Sequence, residues 1–212
     1  PVGLTTQRGI SYEAGAEYSA HRLRLAGRAF HLRLRDEISF DATSFSNVNL
    51  PKSRRNGLAL SADTPLTSQL RMGAGYEYID AEITSGNHSG KQVPLVPEHR
   101  ANLYLEYRPL APVLARVDLA YIDQRYLGSD FDNASAPLSE YWLTDLVMHY
   151  SVGNWRYTAK LNNLFDKEPP LVTSGGGGTP NLCPTGPCNG NTYPATYDAL
   201  GRYLFAGVTL DF

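Results

Sequence analysis

The sequence predicts an all-β protein, an antiparallel up-and-down sheet whose strands cross a membrane and form a segment of a transmembrane β-barrel. Three observations support this prediction. Apolar and polar residues alternate along repeated runs of about 9–11 residues, which is a membrane-spanning length and exceeds the average of about 5–6 for soluble strands. The connections between these runs alternate between short and long. The last run continues to the carboxy-terminus.

The terminal run, residues 201–212, alternates with a period of two up to the last residue. Soluble proteins seldom end on an apolar strand, because chain termini usually fray. The spacing of Gly207, Leu210 and Phe212 resembles the carboxy-terminal assembly signal of bacterial outer-membrane barrels. That signal prefers a polar residue where Phe205 stands and an aromatic residue at Leu210. The alternative is an edge strand of a soluble β-sandwich.

Eight earlier runs alternate in the same way, so the chain supplies roughly nine strands. In the second run the apolar parity changes near Gly27, which predicts a β-bulge there. The predicted strands cover residues 11–20, 22–40, 53–63, 68–83, 98–108, 113–126, 139–150, 154–165 and 201–212.

The alternation also assigns side chains to two faces of the sheet. Those predicted to face lipid are Ala101, Leu103, Leu105, Leu119, Leu146, Met148, Tyr157, Ala159, Leu161, Val208 and Leu210. Those predicted to face the lumen are Asn102, Glu106, Arg116, Asp118, Arg156, Lys160 and Thr209.

Loop length alternates along the chain, which predicts the orientation of the sheet. The tight connections are 20–21, 63–66, 108–112 and 151–154. The long connections are 41–51, 84–97, 127–139 and 166–200. Outer-membrane barrels have short periplasmic turns and long extracellular loops. The long connections are therefore predicted to be extracellular.

Composition limits the possible functions. The 212 residues include 19 basic and 21 acidic side chains, and the net charge of -2 argues against a nucleic-acid partner. No apolar run reaches the roughly 18 residues of a transmembrane helix. Neither a signal peptide nor an initiator methionine opens the chain, so we expect a mature product or a fragment.

Few residues suggest chemistry. Cys183 and Cys188 have a Cys-x4-Cys spacing, which favours a small disulfide; a metal site, the alternative, would need further ligands, and no His lies between residues 166 and 212. His149 and Asp145 share a strand face, but without a nucleophile motif we expect a hydrogen-bonded lumen lining. No catalytic residue, metal or cofactor is predicted, and the protein is expected not to be an enzyme.

The longest connection, 166–200, is predicted to contact ligand or to act as a gate. Loops of this length without clear periodicity are usually functional or disordered. Tyr193 and Tyr197 offer aromatic surface for stacking. The alternative is a surface loop that covers the mouth of the barrel.

Four segments together resemble the carboxy-terminal half of TonB-dependent outer-membrane receptors. They are Val-Pro-Glu-His-Arg-Ala-Asn-Leu at 96–103, Tyr-Trp-Leu-Thr-Asp-Leu at 141–146, Leu-Asn-Asn-Leu-Phe-Asp-Lys at 161–167, and the 201–212 ending. The resemblance implies a barrel of about 22 strands plugged by an amino-terminal domain. Residues 1–212 are then the carboxy-terminal part of the barrel, and the plug domain is absent. Bacterial single-chain barrels have even strand numbers, whereas roughly nine strands are predicted here. An odd number agrees with a partial barrel.

The resemblance implies TonB-dependent active uptake of a scarce nutrient across the outer membrane of a Gram-negative bacterium. The ligand would be a ferric siderophore, cobalamin or an oligosaccharide. The implied partners are outer-membrane lipid, the missing plug and remaining strands, the TonB complex acting through the plug, and the barrel assembly machinery. The alternatives are a small outer-membrane pore or barrel enzyme, and a soluble β-rich binding domain.

Overall fold

The computed structural model describes residues 3–41, 44, 46–174, 195–198 and 201–211. The strands are β1 Arg8–Ala20, β2 Leu23–Asp41, β3 Ser46–Pro65, β4 Leu70–Ser85, β5 His99–Leu110, β6 Val113–Ile122, β7 Tyr141–Val152, β8 Trp155–Asn162, β9 Pro170–Ser174, β10 Ala195–Asp198 and β11 Tyr203–Leu210.

Nine of these strands form one antiparallel sheet, in the order β1-β2-β3-β4-β5-β6-β7-β8-β11. Each strand lies beside the next one along the chain, which confirms the predicted up-and-down topology. The difference lies in the longest connection, where β9 and β10 pair with each other in a separate two-stranded sheet. Among the described residues, no helix is long and apolar enough to cross a membrane.

The strand register sorts the side chains onto two faces. Leu25 is paired with Ala62, Ala62 with Ala74 and Ala74 with Leu103, so these four residues share a face. Followed across all nine strands, the same register places every predicted lipid-facing residue on this side, which we call the apolar face. Every predicted lumen-facing residue lies on the other side, the polar face.

The apolar face is widely exposed in this chain. Leu204 is 73% exposed, Val208 59% and Met148 47%. Contiguous exposed apolar surface of this kind indicates a membrane or protein interface rather than a surface in contact with water.

The predicted bulge at Gly27 is wrong. The register of β2 runs without a shift through Gly27 against both neighbouring strands. The apolar parity changes there because the polar face of β2 carries Phe30, Leu32 and Leu34. The Phe30 ring covers its cross-strand partner Gly57, so at this position the apolar side chain reflects packing on a glycine and not a shifted backbone.

The alternation of β2 changes instead at Asp36, which has a left-handed backbone (φ 56°). Leu34 and its cross-strand partner Ser53 lie on the same face of the sheet. Strict alternation would put Glu37 on the opposite face, away from Ser53. Glu37 nevertheless accepts hydrogen bonds from Ser53 Oγ (2.6 Å) and Arg55 Nη2 (2.6 Å). Asp tolerates the left-handed region better than most residues, so it provides a local way to reverse the faces.

The ends of the sheet differ, as the connections predict. At one end, two-residue turns at 21–22 and 153–154 each contain a residue with positive φ, His21 (52°) and Gly153 (58°), which tight hairpins require. At the other end the connection expected at 41–51 is shorter than predicted, because β2 and β3 stay paired as far as Asp41 and Ser46. We call these the short-turn end and the long-loop end.

A small core closes the long-loop end. Leu50, Ala81, Ile83, Val93 and Phe131 are buried and packed together. Residues 86–98 fold back along β4, where Ile83 N–H donates to Lys91 O (2.8 Å) and Val93 N–H donates to Ala81 O (3.0 Å). The connecting loops are therefore an ordered extension of the sheet, and they frame the pocket described next.

Candidate functional site

A pocket of about 520 Å³ opens at the long-loop end. Its walls come from the β2–β3 tip and from the connections 86–98 and 123–140. Leu50 and Phe131 belong both to its lining and to the small core, so its floor is fixed by packing. The other lining residues are Asp41, Val48, Asn49, Pro51, Asn87, His88, Ser129, Asp130, Asp132 and Ala134.

An imidazole and a carboxylate meet in this pocket. His88 Nδ1 lies 2.7 Å from Asp132 Oδ1, although 44 residues separate them along the chain. The His88 ring is also 5.7 Å from the Phe131 ring, centroid to centroid. These two rings give the pocket a stacking surface beside an acceptor, which suits a polar ligand that carries rings.

Hydrogen bonds hold the loop that carries Phe131 and Asp132. The Asp130 carboxylate accepts the backbone N–H groups of Ala134 (2.9 Å) and Ser135 (3.0 Å). Asn133 bridges to the neighbouring connection, accepting from Gln92 N–H at 2.7 Å and donating to Gln92 O at 3.1 Å. The geometry of the pocket is therefore organised before any ligand arrives.

Ser129 ties the same loop to β2, since its hydroxyl donates to Phe40 O at 2.7 Å.

Among the described residues, no group of three or more His, Cys, Asp and Glu side chains is arranged to hold a metal ion.

The polar face carries a second cluster, near the short-turn end. Asp63 accepts from Tyr104 Oη and forms a salt bridge with Arg71, with Arg71 Nε 3.0 Å from Asp63 Oδ1. Arg116 lies over the Tyr104 ring, 4.0 Å from its centroid, and is 2.6 Å from Asp118. Strands β3, β4, β5 and β6 all contribute, so the cluster is a continuous ionic lining rather than one isolated pair.

The other predicted site residues are only partly described. Cys183, Cys188, Tyr193 and Phe212 lie outside the described residues. The backbone of Tyr197 pairs with Val172 between β10 and β9. In the terminal strand, Gly207 is paired with Thr158 and Leu210 with Trp155.

The structure does not bring His149 and Asp145 together. His149 Nδ1 lies 2.9 Å from Thr158 Oγ1, and the Asp145 carboxylate accepts the backbone N–H of Asn163 at 2.8 Å. Each has its own structural partner, as expected of a lining.

Comparison with known proteins gives the family. The profile described as "TonB dependent receptor-like, beta-barrel" matches residues 1–164. The metal-pseudopaline receptor CntO of Pseudomonas aeruginosa strain UCBPP-PA14 is 30% identical over 172 residues, which are 76% of this chain and 24% of that protein. The ferrichrome outer membrane transporter/phage receptor of Escherichia coli K12 is 26% identical over 172 residues, 76% of this chain and 23% of that protein.

Solved structures have the same fold. The ferric yersiniabactin uptake receptor FyuA from Yersinia pestis superposes with a TM-score of 0.76 at 18% identity, over 97% of this chain and 30% of that one. The copper transporter OprC superposes with a TM-score of 0.74 at 20% identity, over 99% of this chain and 32% of that one. This chain thus spans about a quarter of the length of its curated relatives. The profile match covers well over half of the sequence, and the chain belongs to the TonB-dependent receptor β-barrel family.

Proposed function

We propose that this chain supplies part of the barrel wall of a receptor that takes up a metal chelate across the Gram-negative outer membrane, driven by TonB. The observation that carries the proposal is the organisation of the sheet. An exposed apolar face suits lipid, an ionic polar face suits a lumen, and an organised pocket lies at the long-loop end.

The relatives support a metal chelate as the ligand class. Two of them are named for metal-pseudopaline and for ferrichrome. His88 and Phe131 supply ring surface in the pocket, and the carboxylates of Asp130 and Asp132 lie beside them. A chelate that carries rings and amide groups would stack on these side-chain rings and donate hydrogen bonds to the carboxylates.

In this proposal the polar face contacts a plug domain that occupies the lumen. The Arg71 side chain is about half exposed and those of Asp63 and Arg116 are partly exposed, so in the whole receptor they would pair with plug residues as well as with their present partners. The TonB complex would pull on that plug. The remaining strands would pair with the edges of β1 and β11, and the barrel assembly machinery would read the terminal strand through Gly207, Leu210 and Phe212.

The longest connection is a second contact for ligand. We assign this role to Tyr193 and Tyr197 and propose that Cys183 and Cys188 close a small disulfide in the same connection. A simple cover over the mouth of the barrel is the competing role for this loop.

The test is uptake of radioactive iron by Gram-negative cells that lack their own siderophore receptors and express the full-length protein. The probes are ferrichrome, a ferric catecholate and a ferric pseudopaline-type chelate. We expect uptake of at least one probe, and its loss in cells without TonB. Failure to take up any of these chelates, or uptake that persists without TonB, would overturn the proposal.

A further inference from the structure

Basic side chains cluster on the apolar side of the sheet at its long-loop end. Before the change of faces at Asp36, Arg33 and Arg35 lie on the same side of β2 as Leu25. Lys52 and Arg54 are their direct partners on β3. Arg8 on β1 is the partner of Arg35 from the other side. The apolar face therefore ends in a group of cations, which we call the basic rim: Arg8, Arg33, Arg35, Lys52 and Arg54.

The register sets these cations against one another. Arg35 lies between Arg8 and Lys52 in one cross-strand row, and Arg33 is opposite Arg54 in the next row. Like charges directly opposite each other destabilise a sheet. An anion that bridges the rows would offset this repulsion.

Among the residues that the structure describes, carboxylates form salt bridges with one of the five cations. Arg54 is 2.6 Å from Glu82 and 3.6 Å from Asp80. Arg33 Nε lies 2.8 Å from His31 Nε2, and His31 Nδ1 lies 2.6 Å from Asn56 Oδ1. Among the described residues, no carboxylate forms a salt bridge with Arg8, Arg33, Arg35 or Lys52.

The rim forms a groove and not only a charged surface. A cavity of about 350 Å³ is lined by four of the five cations, Arg33, Arg35, Lys52 and Arg54, together with His31, Leu34, Ser53 and Thr84. Guanidinium groups bind phosphate through pairs of parallel N–H donors, while the lysine ammonium binds it as a point charge. The groove therefore has the charge, the donors and the size for a phosphate group.

The position of the rim along the membrane normal indicates which kind of molecule carries that phosphate. The row of Ala29, Leu58 and Tyr78 lies four residues below Arg33, toward the short-turn end. At about 3.4 Å per residue and a tilt of about 40°, Arg33 and Arg35 stand roughly 10 and 15 Å above this apolar row along the membrane normal. The next row on this face toward the rim, His31, Asn56 and Asp80, is already polar, so the hydrocarbon ends between these two rows. The rim then lies among lipid headgroups, just beyond the hydrocarbon.

We infer that Arg8, Arg33, Arg35 and Lys52 bind the phosphate groups of an anionic lipid in the leaflet that surrounds the long-loop end. Charge complementarity favours a phosphate-bearing headgroup. Continuity with the apolar face favours a lipid over a soluble anion, because the acyl chains of the same molecule would cover the rows of Ala29, Leu58 and Tyr78.

The test measures binding of dioleoyl phosphatidate to the full-length protein in neutral detergent micelles by native mass spectrometry. Dioleoyl phosphatidylcholine, with the same chains and a neutral headgroup, is the parallel probe. The variant combines Arg35→Gln with Lys52→Gln. Its matched control combines Arg24→Gln with Arg28→Gln, which removes two charges from the polar face of β2.

We expect the wild type to prefer phosphatidate, and the rim variant to bind it about 25-fold more weakly, at about fivefold for each charge removed. The control should bind like the wild type. Equal binding of phosphatidate by wild type and rim variant, or an equal loss in the control, would overturn the inference. Full displacement of phosphatidate by excess inorganic phosphate would also overturn it, because the site would then be one for soluble anions.

Thermal unfolding in the same micelles without anionic lipid provides a check on folding. The rim variant should unfold at the same temperature as the wild type or higher, since it lacks the opposed like charges. A lower unfolding temperature would contradict the repulsion from which the inference starts. Chelate uptake is a separate readout, so failure of lipid binding and failure of the proposed uptake can be told apart.

Discussion

Phe30 on β2 lies across the strand pair from Gly57 on β3, and its ring occupies the space where a side chain at Gly57 would stand. The same arrangement recurs where Tyr104 on β5 covers Gly73 on β4. Aromatic rings over cross-strand glycines give the polar face a close-packed surface despite its small residues. Both rings then take part in cation–π contacts, with Arg28 and Arg116 respectively.

This packing predicts that Gly57→Ala destabilises the barrel. A methyl group at Gly57 would overlap the Phe30 ring, and overpacking of this kind costs about 1–3 kcal/mol. Gly27→Ala is the control, because a Cβ there would be 3.4 Å from the nearest atom, Leu60 Cδ2. The measurement is the free energy of unfolding of the two full-length variants, obtained by denaturant titration in micelles and compared with that of the wild type. Equal effects of the two substitutions would show that Phe30 can move aside at no cost.

The ionic cluster on the polar face predicts a second difference. Asp63→Ala removes the acceptor shared by Arg71 and Tyr104 and should lower the free energy of unfolding by about 1 kcal/mol, after allowance for the exposure of Arg71. Glu17→Ala breaks the exposed pair with Arg24, at 3.5 Å, and an exposed hydrogen bond from Ser19 Oγ, at 3.4 Å, and should have almost no effect. The same unfolding measurement compares them, and a larger loss for Glu17→Ala would contradict the assignment of Asp63 as the centre of the cluster.

Asp132→Asn tests the pocket at the long-loop end. This change weakens the acceptor for His88 while preserving the shape of the side chain, and we expect about fivefold weaker binding of whichever ferric chelate the uptake assay identifies. Glu140→Gln, on the same connection but outside the pocket, should bind like the wild type. Unchanged affinity in Asp132→Asn, measured by fluorescence quenching with the purified receptor, would exclude this carboxylate from recognition.

The longest connection can be tested by deletion. Removal of residues 175–191 from the full-length receptor should weaken chelate binding and leave the barrel folded and inserted. Heat-modifiable migration on gels checks the fold, and equilibrium binding measures the effect. If the affinity does not change, this loop is a cover.

The sequence predicts the strands well because side-chain alternation is a local property. The alternation predicts a strand at 98–108, and β5 runs from His99 to Leu110. The apolar and polar faces follow directly from the same period. The error at Gly27 has a non-local cause, since an apolar Phe30 on the polar face makes sense only once Gly57 is known to lie opposite it.

The pocket and the basic rim depend on contacts that the sequence pattern does not contain. His88 and Asp132 meet across 44 residues, and their partnership depends on how two connections fold over the small core. The basic rim has a weak signal, because Arg33 and Arg35 alternate in the sequence. Their face becomes clear only from the register with Lys52 and Arg54.

The central claim is that the apolar face of this sheet contacts lipid while the polar face lines a lumen. Spin labels at Leu146→Cys on β7 and Lys160→Cys on β8 test it most directly in the full-length protein reconstituted in bilayers, because neighbouring strands present these positions to opposite faces. The label at position 146 should be relaxed more by oxygen, which partitions into lipid, and the label at position 160 more by a water-soluble nickel chelate. Equal accessibility of the two labels to oxygen would contradict the claim.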